Sequence, residues 1–273
     1  MQSILIQQLI LGVIQGITEW LPISSSAMTT LIMTNFFNIT DISILIHQAL
    51  FLHLGTFFAA LIYFRKDVRH LLKSLFHSHK KSKKPRPSPE TKKPLRFLII
   101  TTIISGILGL VIMKFISSID LELTGKTITF VIGLLLFVTG GLQLSVRKKG
   151  LRRLINIENS DSIFLGFTQG LAALPGISRS GITVSTLLLR KFNDTTALRL
   201  SFLMSLPIVL LGNIFLNLPD IATTFTYTSL IGLLASFAFG LATIHALMKL
   251  SKKINFGWFV LIFAMLMMLS VLI

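Results

Sequence analysis

The sequence predicts an all-α integral membrane protein: an inverted-topology repeat of about six transmembrane helices plus two re-entrant helical hairpins. Three observations predict it. Apolar residues make up 52% of the 273 and charged residues 13%, and several uncharged runs approach the length that crosses a bilayer, roughly 20 residues. The 26 basic residues are concentrated in loops between those runs, so the net charge of +16 reads as membrane topology and not as a nucleic-acid footprint. Nucleic acid is therefore not an expected partner, whereas membrane lipids are. Lastly, residues 11–29 align without a gap with residues 165–183. One membrane domain is expected over 1–273, with repeat one at about 1–116 and repeat two at about 128–273.

The first element is apolar from Ile4 to Ile14, too short to span. No basic n-region precedes it, so residues 1–14 are expected to remain in the mature protein. A polar, proline-broken stretch follows from Gln15 to Ser26, then a second short apolar piece to about Phe37. Two half-length helices joined by a break read as a re-entrant hairpin, tolerated at membrane depth where it lines a cavity. Spans are predicted near 44–64, 97–116, 128–146, 200–217, 228–248 and 254–273. Residues 65–96, with twelve basic residues and Pro85, Pro87, Pro89 and Pro94, read as a solvated cytoplasmic loop able to touch anionic headgroups. The absence of cysteine excludes disulfides and thiolate metal sites.

Basic loops at 147–153 and 249–253 are placed inside, and loops near 35–43 and 218–227, which lack basic residues, outside. The segment 161–189 is basic on both flanks, with Arg152 and Arg153 before it and Arg190, Lys191 and Arg199 after. A hairpin entering and leaving on the cytoplasmic side satisfies both flanks, and Pro175-Gly176 supplies its break. The N-terminus and the site then face outside a cell membrane.

Within that segment Arg179 is a permanent charge in an apolar run, at a cost of roughly 2.5–3.5 kcal/mol on insertion scales. It either marks a site or snorkels to the surface. The two hairpins share Leu11/Leu165, Gly12/Gly166, Gln15/Gln169, Gly16/Gly170, Ile23/Ile177, Ser24/Ser178, Ser26/Ser180 and Thr29/Thr183. In inverted repeats, ligands sit near the midplane among broken-helix ends. Both serine triplets, Ser24–Ser26 and Ser178–Ser180, look like N-caps, so two helix N-termini are expected to meet and to favour an anion. Arg179 adds a fork of donors suited to phosphate. Gln15 and Glu19, four apart, share a helix face. A Glu19–Arg179 ion pair that merely staples the hairpins is the plainer alternative, but it leaves the surplus of hydroxyls without a purpose.

At these residues the chain resembles the undecaprenyl-diphosphate phosphatases, also called bacitracin-resistance phosphatases. The first motif reads Gln15-Gly-Ile-Thr-Glu19-Trp-Leu-Pro-Ile-Ser-Ser-Ser26, and the second, Pro-Gly-x-Ser-Arg-Ser-x-x-Thr, is complete from Pro175 to Thr183. Leu52-His-Leu-Gly-Thr56 is similar as well, and the resemblance runs over nearly the full length. It implies hydrolysis of a polyprenyl diphosphate to the monophosphate, recycling the lipid carrier of envelope glycans and conferring bacitracin resistance. By position it implies Glu19 as the essential acid, holding a divalent metal (Mg²⁺ or Ca²⁺) or acting in acid/base work. Ser25 would be the nucleophile unless water is; Gln15, Ser24, Ser26, Ser178, Arg179, Ser180 and Thr183 would bind the diphosphate. A homodimer is one expected assembly. Two departures stand out. Gln15 replaces a frequent glutamate and is a weaker metal ligand, and Ala27-Met28 replaces a Gly-His pair, so a thioether stands where a proton carrier is expected. His53 is the substitute base unless it is a structural hydrogen-bonder. The alternatives are a lipid-phosphate flippase of the same fold and, less fitting, a small-anion channel.

Overall fold

Long uncharged runs have no water to satisfy their backbone, so each closes its hydrogen bonds within itself as a helix. The computed structural model describes residues 2–77, 89–118, 125–145, 150–174, 176–218, 225–250 and 257–271, and among them every extended element is helical. Five helices are long and apolar enough to cross a membrane. They are α3 (Ile42–Tyr63), α5 (Pro89–Ser118), α6 (Gly125–Leu144), α9 (Asp194–Gly212), which a π-helical turn at Asn213–Asn217 extends, and α10 (Tyr227–Leu250). Their outward faces are apolar: Ile103, Ile107 and Val111 on α5 are 56%, 62% and 59% exposed, a stripe that lipid covers and water would not tolerate. The chain is an all-α integral membrane protein.

The sixth predicted span, 254–273, is a shorter helix, α11 (Gly257–Ser270), whose flanks at 251–256 and 272–273 lie outside the described residues. So do most of the loops whose charge set the topology: 78–88, 146–149 and 219–224. The expected loop at 65–96 needs correction at both ends. Residues Arg65–His77 form α4, in which Val68 and Leu71 pack on the core while Arg69, His70 and Lys73 stay exposed. The basic composition hid this helical spacing. Arg199 of α9 holds α4 in place, its Nε donating to Asp67 Oδ2 over 3.1 Å and its terminal nitrogen to Oδ1. At the far end the helix of the next span already runs from Pro89, which at the first helical position forfeits no intrahelical bond, and it continues through Pro94.

Besides α4 and α11, four helices are shorter: α1 (Gln2–Thr18), α2 (Ser25–Phe36), α7 (Asn159–Leu171) and α8 (Arg179–Leu189). The last three reach only about 17–20 Å at the helical rise, short of the roughly 30 Å of hydrocarbon. The first runs past the predicted Ile14, since the Thr18 hydroxyl donates to the Ile14 carbonyl (2.6 Å) and the Glu19 amide to that of Gln15 (3.0 Å). Pro175 lies outside the described residues, while Gly176 takes φ +107°, a left-handed conformation that a side chain would strain. The segments flanking the α7–α8 hairpin meet: the Arg152 amide donates to the Lys191 carbonyl (2.9 Å) and the Asn193 amide to that of Arg152 (3.0 Å).

Glycines set how these short helices pack. A Cβ at Gly12 of α1 would stand 2.2 Å from the Gly232 carbonyl oxygen of α10, and one at Gly16 2.7 Å from the Gly240 nitrogen. Their counterparts in the second hairpin, Gly166 and Gly170, meet α5, where added Cβ atoms would stand 2.7 Å from Ile104 Cβ and 2.8 Å from Leu108 Cβ. Each first half-helix therefore lies on a span from the other half of the chain. Gly12→Leu is expected to cost about 1–3 kcal/mol or more through overpacking against backbone, read as a lower thermal-unfolding midpoint in detergent. Gly141→Leu, where nothing lies within 4 Å, is the matched control and should leave the midpoint unchanged.

Candidate active site

The two serine triplets do the local work their chemistry suggests. Ser24 caps α2, its hydroxyl accepting from the Ala27 amide (3.4 Å), and Ser178 caps α8, accepting from the Gly181 amide (3.1 Å). Each cap oxygen also lies 3.2 Å from the hydroxyl two residues on, Ser26 in one case and Ser180 in the other. The Ser180 hydroxyl then donates to the Leu21 carbonyl (2.8 Å), tying one break to the other.

Between the breaks sits Glu19, 5% exposed and surrounded by donors. Arg179 donates to Oε1; Gln15 Nε2 (2.9 Å) and the Ser25 hydroxyl (2.5 Å) donate to Oε2. His53 Nε2 stands 3.1 Å from the same Oε2 and 3.4 Å from Ser25 Oγ. Its Nδ1 is 2.6 Å from the Ala49 carbonyl, which can only accept, so Nδ1 carries a hydrogen. Nε2 faces a carboxylate that is also an acceptor, so one proton is shared between the ring and Glu19. Ser25 is thereby in reach of a carboxylate and an imidazole at once, an arrangement able to take up a hydroxyl proton.

Arg179 is held on its other side by the Ser201 carbonyl (3.2 Å) and lies over Trp20 at 5.9 Å from the ring centre. Of the residues expected to act on or bind diphosphate, the structure brings Gln15, Glu19, Ser25, His53 and Arg179 together, with Ser24, Ser26, Ser178 and Ser180 at the two caps. Thr183 is fully buried and committed to protein: its hydroxyl bonds the Arg179 carbonyl (2.7 Å) and the Ser201 hydroxyl (2.7 Å). Ser201 is the residue sequence reasoning missed. A serine inside a span carries no signal, and half of its role is played by a backbone carbonyl.

A second polar cluster closes the base of the α7–α8 hairpin, also unforeseen although its buried acid borders the apolar run. Asp161, fully buried, accepts from Arg152 (2.7 and 3.1 Å), from Arg190 Nε and from the Glu158 amide (2.8 Å). Asp161→Ala strands two guanidiniums, each about a quarter exposed. The expected loss is on the order of 2–3 kcal/mol, below the roughly 3–5 of a fully buried pair because water still reaches them. A midpoint in detergent within 1 °C of the parent protein counts against this staple.

An acid, an arginine, a serine and a histidine gathered between two broken helices define a helical membrane protein with a buried anion-ready site. The family described as "Bacitracin resistance protein BacA" matches residues 8–269, and the chain belongs to that family. It is similar to proteins named undecaprenyl-diphosphatase in Methanococcoides burtonii (44% identical over 254 residues, 93% of each chain) and Methanothrix thermoacetophila (35% over 257 residues, 93% of this chain and 92% of that one). One of the same name in Haloarcula marismortui is 34% identical over 249 residues, 91% of this chain and 90% of that one.

Proposed function

We propose that this chain hydrolyses undecaprenyl diphosphate to the monophosphate and inorganic phosphate. One observation carries the reading: Arg179, Glu19, Ser25 and His53 form one buried hydrogen-bonded cluster flanked by two capped helix N-termini. The family and the names of its relatives support the same reaction. The terminal phosphate displaces Arg179 from Glu19 and takes the guanidinium fork, assisted by the N–H groups at the starts of α2 and α8. The attacking oxygen, of Ser25 or of water, forms a new P–O bond as the bridging P–O bond breaks, and its proton passes to the Glu19–His53 pair. The lipid monophosphate leaves; where Ser25 is the attacker, a water then cleaves the Ser25 phosphoester, which releases inorganic phosphate and restores the serine hydroxyl. Positioning and charge stabilisation carry most of the rate, as in phosphoryl transfer generally.

A divalent cation, Mg²⁺ or Ca²⁺, fits the donor set as a loosely held ion. Gln15 Oε1 is buried without a hydrogen-bond partner, and Glu19 is the carboxylate beside it. Among the described residues no group of three His, Cys, Asp or Glu could hold the ion alone, so water and phosphate oxygens would complete its shell. When bound, it would neutralise phosphate charge. Loop charges support a plasma-membrane protein whose site and N-terminus face outside. They also agree with two halves of opposite orientation.

Phosphate release from undecaprenyl diphosphate by the purified, detergent-solubilised protein tests the proposal, since a pure carrier releases none. Ser25→Ala is expected to lower turnover at least about 10³-fold if serine attacks, the cost of removing a covalent nucleophile. Unchanged turnover in that variant assigns the attack to water.

A further inference from the structure

The base of the second hairpin carries a cavity apart from the cluster around Glu19. It has a volume of about 420 Å³ and lies between the first turns of α5, with Lys93, Arg96 and Phe97, and the start of α7, with Glu158, Asn159 and Ser162. Lys93 and Arg96, three apart, share one helix face. Lys93 spends one donor on the Ile155 carbonyl (2.8 Å), and Arg96 makes no hydrogen bond or ion pair among the described residues. The Glu158 carboxylate, which also lines the cavity, has its charge offset by Arg152, 3.5 Å distant, and accepts from the Ser160 hydroxyl (3.4 Å). Ser162 is only 1% exposed and lines the cavity. A buried hydroxyl and two cations on one helix face point to an anion with several acceptor oxygens.

The surroundings identify its carrier. Ile99, Ile103 and Ile107 continue the face of α5 that bears Arg96, and they are 43%, 56% and 62% exposed. A headgroup at Arg96 thus has an apolar lane for a hydrocarbon chain directly along the same helix, which a free phosphate would not need. We propose that this cavity binds the phosphate of an anionic membrane lipid, with the phosphate against Lys93, Arg96 and Ser162 and a chain along Ile99–Ile107. The site is separate from the reaction: the start of α7 lies about 15–20 Å along its axis from the break that carries Arg179.

Native mass spectrometry of the full-length, delipidated protein provides the test, titrating dioleoyl phosphatidylglycerol and dioleoyl phosphatidylcholine in parallel. Wild type is expected to bind the first anionic lipid at least about tenfold more tightly than the zwitterionic one, as expected for charge-assisted phosphate bonds. Lys93→Gln with Arg96→Gln removes that preference, and Ser162→Ala weakens binding about threefold without changing charge. Should the double variant fold poorly, Arg96→Gln alone, at an exposed position, must still reduce the preference. Equal binding of the two lipids to wild type overturns the proposal, as does full preference in the charge-removed protein. Inorganic phosphate that displaces the lipid at equal concentration also overturns it, assigning the cavity to a soluble anion. The experiment needs no catalysis, so its outcome stands apart from that of the phosphate-release assay.

Discussion

Arg179→Ala is expected to lower kcat for phosphate release about 10³-fold or more, in line with the loss of a charge-stabilising arginine in other phosphoryl transfers. The argument rests on how Arg179 is held. Its fork is fixed from behind by the Ser201 carbonyl and by Trp20, and in front it meets Glu19. A guanidinium so mounted is preorganised to exchange one anion, the carboxylate, for another, the phosphate. Alanine removes the charge and leaves Glu19 buried without its cation. Arg179→Lys keeps the charge and loses the two-pronged geometry, so an intermediate rate is expected. Assays on purified, monodisperse protein at saturating substrate decide the matter. If Arg179→Ala retains more than a tenth of wild-type kcat, the arginine is a structural staple and the site lies elsewhere.

Glu19→Gln is the second large effect, with an expected loss of about 10²–10⁴ in kcat, the range of a positioned proton-transfer group together with its electrostatics. The substitution is nearly isosteric, so the packing of α1 should survive. What changes is donor and acceptor count. The carboxylate now accepts from four side chains, Arg179, Gln15, Ser25 and His53, and an amide cannot accept from all of them. Ser25 loses its acceptor, and the shared proton that holds His53 against the serine has no second owner. Near-normal turnover would sink the catalytic role of Glu19.

Much of this site is legible in the sequence. Arg179 betrayed itself as a charge that lipid does not tolerate, and Glu19, Gln15 and the serines were found because a second copy of their pattern recurs across the chain. His53 followed from the need to replace the proton carrier absent at Met28, and it stands 3.4 Å from Ser25. Other features were illegible for physical reasons. Ser201 acts partly through a carbonyl that every residue possesses. α4 was concealed because its lysines and arginines dominate any average over residues 65–77, whereas the helix is defined by the positions of Val68 and Leu71. The roles of Thr183 and Ser180 could not be read because a hydroxyl in sequence does not disclose whether it faces a ligand or a neighbouring carbonyl. Here both face protein, so they set the position of Arg179 and of the two breaks.

The crosswise glycine contacts bear on the order in which the chain can assemble. α7 finds its partner α5 already made, but the Gly12 face of α1 has nothing to lie against until Gly232 has been synthesised, 220 residues later. At about 5–20 residues per second, that leaves the first hairpin waiting roughly 10–45 s. During this interval Glu19 and Gln15 lack Arg179 as well, since it too lies far downstream. The first hairpin is thus unfinished until nearly the whole chain is inserted, and its breaks and polar side chains must be sheltered by the insertion machinery or by water until the second half closes over them.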